Sequence, residues 1–328
     1  MTRYFLGFDV GATKSHALVA DEAGQALGFG QGGPGNPMDI GHHAFAELLR
    51  VLTQEALVSA GVDDKDIAGV GFGIGGYDWP SQRGPMLEAI RPLALRAPFE
   101  IVNDAIIALL AGASQGWGVA VIAGTSCNCW GWDQDRRVGR MTGFSWLGEG
   151  AGSHELVIRA LQAVAREWTR RGQPTRLSEA FVELTGARDT ADFLEGLTLE
   201  RIKVGAEAAP AVFRVAAEGD PVARELILWA GRELGDLAVG VMRQLNLETR
   251  VFDVVLAGSF FNGSPLLVEA MREVVHRIAP GARLVRLHVP PVVGGVLLGM
   301  EIAGAHTLSV RGPLIESTDR LLASESQR

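Results

Sequence analysis

The stretch FLGFDVGATKSHALVADEAGQALGFG, residues 5–30, decides how this 328-residue chain is read. An apolar run too short for a helix reaches Asp9 and breaks at Gly11-Ala12. A second run spans 16–20, and after Asp21-Glu22-Ala23-Gly24 a third follows from residue 25. That pattern is strand, turn, strand, turn, strand. The first turn carries a carboxylate, two small residues, a hydroxyl and an amine in an otherwise apolar sheet. Gly11 and Ala12 let backbone N–H groups come close to an anion, while Thr13 and Lys14 add a donor and a positive charge. A carboxylate beside a phosphate becomes favourable when a hydrated Mg²⁺ lies between them, so Asp9 and its turn predict a metal nucleotide, with Mg²⁺ held through water. A tight hairpin with an Asp-type turn explains the segment, taken alone, equally well. A strand rather than a helix follows the glycine, and neither GxGxxG nor GxxxxGK[ST] spacing occurs at this turn, which excludes a Rossmann or P-loop site here.

The same device recurs. Residues 118–123 are apolar, Gly124-Thr125-Ser126 is a small polar turn, and 127–132 resumes before the turn at 133–135. Duplication at this spacing places two polar turns in equivalent positions of two related lobes, an arrangement suited to one ligand between them. Between the two copies, 41–60 has helical spacing and stops at Gly61, 67–74 reads as a strand, 85–94 as a helix and 100–102 as a strand. Residues 104–112 read as a helix capped by Asn103 or Asp104. The order βββαβαβα closes one α/β lobe. The second lobe is more helical, over 154–168, 177–186 and 221–247, and ends in two strand-and-turn units, 251–265 and 283–300. The expected division is 1–113 for the first lobe and 114–292 for the second, with a helix at 293–306 packing back onto the first. Residues 312–328 are expected to form a polar tail that frays at its end.

At 47% apolar and 21% charged residues the composition is that of a globular protein with a core to bury, and its length suits about two domains. The net charge of −8 argues against a nucleic-acid or anionic membrane partner, and Arg136-Arg137 and Arg170-Arg171 read as solvated pairs. The only two cysteines, Cys127 and Cys129, stand in a CxC spacing on one strand, so no disulfide framework is expected, which suits a reducing compartment. Neither an apolar leader segment nor a membrane-spanning run occurs, and the expected location is cytoplasmic.

Asn103-Asp104 follows a short strand and opens a helix. Taken alone, Asp104 reads as a helix cap; at the mouth of a cleft between phosphate turns it also suits a base that takes a proton from an attacking hydroxyl. Two glycine-rich loops, 32–37 and 73–79, offer Asn36, Asp78 and Trp79 as polar and stacking groups of the kind found in sugar sites and in ordinary turns. Other catalytic templates fail: His154-Glu155 lacks the second His of HExxH, no Ser sits in GxSxG, and His42-His43 reads as surface.

At these turns the sequence resembles the sugar kinase, Hsp70 and actin superfamily. Within it, the chain is similar to the BadF/BadG/BcrA/BcrD ATPase family, which includes N-acetylglucosamine kinase. The residues that carry the resemblance are DVGATK (9–14), VNDAIIALLAG (102–112), AGTSCNC (123–129), LAGSFF (256–261) and PPVVGGVLLG (290–299). It implies two actin-like, ribonuclease H-like lobes with a nucleotide cleft between them, and ATP with Mg²⁺ as cofactors. Asp104 would be the general base. Asp9, Gly11, Ala12, Thr13 and Lys14, with Gly124, Thr125 and Ser126, would hold the phosphates, and Gly258 and Ser259 would line the nucleotide site. Asn36, Gly75, Gly76, Asp78, Asn128 and Glu149 fall where such kinases contact their sugar. A homodimer is implied as well.

The chain departs from the family pattern in three places. Ser126 replaces the middle glycine of the second phosphate turn, which keeps its amide but restricts φ. Gly143 stands at the sugar-facing Trp position, and Glu149 stands in for Asp. Gly75-Gly76-Tyr77-Asp78 lacks the serine of the Ser-Gly-Gly-Asp segment. The expected activity is ATP-dependent phosphorylation of an amino sugar, N-acetylglucosamine or glucosamine foremost. The alternatives are an ATPase activator of the BadF type, whose iron–sulfur cluster needs well-separated cysteines, and a sugar sensor without catalysis.

Overall fold

The computed structural model describes residues 2–325. The first half runs β1 (Tyr4–Val10), β2 (Ser15–Asp21), β3 (Ala26–Gly32), α1 (Pro37–Ile40), α2 (His42–Ala60), β4 (Ile67–Ile74), α3 (Arg83–Ile90), β5 (Phe99–Asn103) and α4 (Asp104–Gly112). The second opens with β6 (Gly118–Ala123), β7 (Cys127–Trp132) and β8 (Val138–Arg140). The helices α5 (Ser153–Trp168), α6 (Leu177–Thr185), α7 (Thr190–Thr198), α8 (Ala209–Ala217) and α9 (Pro221–Gln244) follow. It closes with β9 (Phe252–Ala257), α10 (Pro265–Ile278), β10 (Ala282–Arg286), α11 (Val292–Ile302) and α12 (Arg311–Glu325).

The duplication read from the two turns is visible in the sheets. One has the order β3-β2-β1-β4-β5; the other, read from its β8 edge, is β8-β7-β6-β9-β10. In each, an antiparallel meander of three strands is extended by two parallel strands. The helical excess of the second lobe is α5–α9, inserted between β8 and β9.

Helices α4 and α11 are apolar along nearly their whole length because each is covered on several sides. Helix α4 has Ile106, Leu109 and Leu110 in one cluster with Ala120 and Trp130 of the second sheet and Leu298 of α11. Helix α11 lies against β1, β4 and α4. Its approach is so close that a Cβ on Gly294 would overlap the carbonyl of Ile107. The chain passes between the lobes twice, at 113–117 and 287–291. The crossings are neighbours, because a Cβ on Gly112 would lie 3.2 Å from Leu287. Ser114, in the first crossing, donates from its amide and its hydroxyl to Asp253 Oδ2, both at 2.7 Å, and Arg283 Nε donates to Asp253 Oδ1 at 2.8 Å.

Most of the segment expected to be a polar tail is helix α12, continuing to Glu325; the end expected to fray, 326–328, lies outside the described residues. Its polar composition conceals a docked face, on which Leu314 and Thr318 are fully buried. Ser317 Oγ accepts from the amide of Ala26 at 2.9 Å and donates to the carbonyl of Gly24, fixing the helix to the β2–β3 hairpin. Among the described residues no helix is long and apolar enough to cross a membrane.

Because Gly294 leaves no room for a side-chain atom, Gly294→Ala is expected to destabilise the protein by about 1–3 kcal/mol, measured by urea denaturation.

Candidate active site

Strands β1, β4 and β5 are parallel and end level, with Val10 beside Ile74 and Ile74 beside Asn103. Ligands of open α/β sheets bind outside such carboxyl ends. Gly75 donates its amide to Val10 O at 2.7 Å, tying two of these ends together.

Asn103, 1% exposed, resolves the cap that the sequence left open. Its Oδ1 accepts from the amide of Ala105 at 3.0 Å, while its Nδ2 donates to Asp78 Oδ1 and Tyr77 O, both at 3.1 Å. Asn103 therefore caps α4, and Asp104 stands at the first helical position without that duty. Burial, and the neighbouring charges of Asp9 and then Asp78, push the Asp104 carboxyl up to about 7; the amides of Ala105 and of Asp104 itself oppose the shift. Asp78 accepts from Asn128 Nδ2 at 3.2 Å as well as from Asn103, and burial raises its pKa against the pull of the Asn128 bond and of Arg140. Gln82 Oε1 takes the amides of Asp78 and Trp79 at 2.8 and 2.7 Å, which fixes the loop that presents Asp78.

Asn36 caps α1 through a bond from Met38 N–H at 3.0 Å. Gly76, at φ +82°, lies so close that a Cβ there would overlap the Asn36 amide. A Cβ on Gly75 would stand 3.2 Å from Asp104 Oδ2, so this position faces the Asp104 carboxyl. Gly143, at φ +81°, similarly faces Asp78, with a Cβ 3.1 Å from its Cγ. The oxygens of Glu149 are engaged by Thr142 N, Thr142 Oγ1 and Gly143 N at 2.7–3.0 Å, so its carboxylate shapes this loop.

The first turn is pinned at Gly11, whose amide donates to Lys14 O at 3.1 Å and whose carbonyl accepts from Gly35 N–H at 2.9 Å; Ala12, Thr13 and Lys14 are exposed. In the second turn Gly124 donates to Ser126 O, while the amides of Ser153 and His154 at the start of α5 bond the carbonyls of Gly124 and Thr125, all at 2.9 Å. Ser126 is not among the described non-glycine residues with positive φ, so the serine is accommodated without left-handed backbone. Gly258, at φ +102°, abuts Ala123 O, setting Gly258-Ser259 beside the second turn. Arg286 braces that loop by donating to Leu256 O at 2.8 Å and Asn262 Oδ1 at 2.9 Å.

Asp9, Asn36, Gly75, Gly76, Asp78, Asp104 and Asn128 thus form one cluster. Sequence reasoning missed Asn103 as a bridge, together with Gln82 and Arg140. Asn103 carried a signal only as a cap, and Arg140 depends on the pairing of β7 with β8. Asp9 offers one carboxylate, partly shielded opposite His16, whose Nδ1 lies 3.9 Å away and has no hydrogen-bond partner. Among the described residues no group of three or more His, Cys, Asp or Glu forms a metal cage. This donor set fits Mg²⁺ held chiefly by phosphates and water. Burial raises the Cys127 thiol to about 12 and holds that of Cys129 well above its usual value.

A carboxyl whose folded pKa lies above its unfolded value loses stability as pH rises from about 4 to about 7. Asp104→Asn is therefore expected to melt above the wild type at pH 8, with the gap narrowing toward pH 5 in paired thermal scans.

The model of the BadF/BadG/BcrA/BcrD ATPase family matches residues 6–299. An N-acetylmuramic acid/N-acetylglucosamine kinase of Clostridium acetobutylicum is 24% identical over 302 residues, covering 90% of this chain and 98% of that protein. A crystal structure of a candidate N-acetylglucosamine kinase from Chromobacterium violaceum superposes with a TM-score of 0.65 at 21% identity, covering 90% of this chain and 98% of that one. A ROK family glucokinase from Streptomyces griseus, solved with glucose and AMPPNP, gives 0.56 at 19% identity, covering 91% and 99%. The fold is that of the two-lobed actin-like sugar kinases. With the family model spanning both sheets and every turn described above, the chain belongs to the BadF/BadG/BcrA/BcrD ATPase family.

Proposed function

We propose that the chain is an ATP-dependent kinase that phosphorylates a hydroxyl of an amino sugar, with N-acetylglucosamine or glucosamine as first candidates. It is a phosphotransferase with an alcohol acceptor. The observation that carries this reading is Asp104, a carboxyl raised to about 7 beside a cluster of Asn36, Asp78 and Asn128. A base works best when its pKa lies near the working pH. Asp104 takes the proton of the sugar hydroxyl as that oxygen bonds to the γ-phosphorus of ATP and the bond to ADP breaks. Asn36, Asp78 and Asn128 hold the sugar's polar groups, with Gly75, Gly76 and Glu149 shaping the floor and the adjoining loop. The turns Gly11–Lys14 and Gly124–Ser126 present amides, hydroxyls and one amine to the phosphates, and Gly258-Ser259 adjoins the nucleoside. Mg²⁺ beside Asp9 would neutralise phosphate charge.

The choice of an amino sugar is supported by the names of the Clostridium and Chromobacterium proteins. A cytoplasmic homodimer is the working assembly, on family resemblance. An iron–sulfur activator role draws no support from Cys127 and Cys129, two residues apart in β7 with thiols held protonated.

Sugar-stimulated release of ADP from Mg·ATP, assayed with N-acetylglucosamine, glucosamine, N-acetylmannosamine, N-acetylmuramic acid and glucose, tests the activity. Silence across that panel with ATP still bound would sink the amino-sugar reading. Asp104→Asn should lower kcat by roughly 10²–10⁴ with nucleotide affinity nearly intact, and an unchanged kcat would remove Asp104 from the role of base. In the wild type, kcat/KM should rise with pH and level off above about 7, because the base acts when deprotonated.

A further inference from the structure

Beyond the Asp78–Asn128 contact lies a slot of about 480 Å³ between the lobes. The free edge of β5 forms one wall, Trp130 and Trp132 with Val138 and Arg140 form the other, and Ile106 of α4 contributes to the floor. Asn128 and Trp130 are two residues apart in β7 and so share a face, and Trp130 pairs with Arg140 across the ladder. The slot therefore continues the surface that presents Asn128.

Of its charged groups, Asp78 forms no ion pair but accepts from the amides of Asn103 and Asn128 and feels the charge of Arg140, and the others apart from Arg140 are paired. Arg136 is held by Glu301 through bonds of 2.7 and 2.5 Å, and Glu100 is paired with Arg83 at 2.6 Å. Arg140 forms no ion pair among the described residues. Its guanidinium lies 4.3 Å from the ring centre of Trp79 and 5.6 Å from that of Trp130, and its buried Nη1 meets no acceptor. Trp130, 7% exposed, has an indole Nε1–H that is likewise without a partner. Buried donors are rarely left unpaired, and here two belong to adjacent residues lining one tryptophan-rich slot.

We propose that this slot is a subsite for an acidic substituent on the acceptor sugar. Apolar carbons of the substituent pack on Trp130 and Trp132, and its carboxylate accepts from Arg140 Nη1 and Trp130 Nε1. Both donors are covered by neighbours in this arrangement; Trp79, 45% exposed, is the cover that moves aside. The inference rests on the sugar-kinase reading and narrows its substrate class to amino sugars bearing a carboxyalkyl group.

N-acetylglucosamine and N-acetylmuramic acid differ by one carboxyethyl ether and serve as probes, titrated calorimetrically without nucleotide and assayed for kcat/KM with Mg·ATP. The acidic sugar should bind about tenfold or more tightly, the scale of a charge-assisted hydrogen bond. Val138→Phe, which fills the slot, and Trp130→Phe, which deletes the N–H while keeping a ring, should shrink that advantage. Both should leave N-acetylglucosamine within about twofold. Equal binding of the two sugars by the wild type, or losses common to both sugars in both variants, would overturn the subsite. A binding preference erased by these variants, with neither sugar phosphorylated, would uphold the subsite and discard the kinase reading.

Discussion

The architecture depends on one close contact, between the glycines of α11 and the sheet beneath it. Gly69 and Gly71 of β4 meet Gly299 and Gly295 of α11 with no space for a Cβ on the strand residues, and Gly7 of β1 abuts Gly295 and Val296 in the same way. Alternate residues on a strand share a face, and residues four apart share a side of a helix, so the two glycine patterns register. Because the helix axis sits this low, α4 can wedge between α11 and the second sheet. The start of α4 is where Asp104 stands, so the position of its carboxyl is inherited from backbone packing some turns away.

Gathering Asp9, Asp78 and Asp104 at one sheet end works against folding, since burial disfavours the charged forms of Asp78 and Asp104 and the charges of Asp9 and Asp78 repel that of Asp104. The fold offsets part of that cost with the amides of Asn103 and Asn128 on Asp78. Asp104 receives less relief, and its raised pKa is the residue of that imbalance. Such uncompensated strain at a sheet end is what a site optimised for chemistry looks like.

Much of this was legible in the sequence, for a physical reason. The strand, turn and strand pattern at residues 5–30 is local, and its return at 118–135 revealed the duplication that the two sheet orders share. Helix α4 announced itself as a short apolar run behind a capping residue. What escaped was non-local or disguised. Asn103 bridges to Asp78 only once β4 and β5 end level, and Arg140 meets Trp79 and Trp130 only through the β7–β8 ladder. In α12, a few buried positions among polar neighbours were outweighed by average composition. Ser126, a departure in the sequence, proves to be neutral in backbone terms because its turn closes without a left-handed residue there.

The paired crossings at 113–117 and 287–291 also constrain mechanics. Two connections lying side by side behave as two pins on a single seam. A screw rotation of one lobe over the other would shear both, whereas a book-like opening only bends them. The seam is also reinforced: the Ser114–Asp253–Arg283 network welds the first connection to the second sheet. Compliance is thereby concentrated in few backbone torsions, and the soft coordinate of the molecule is an angle whose change is largest at the sheet ends farthest from the pins.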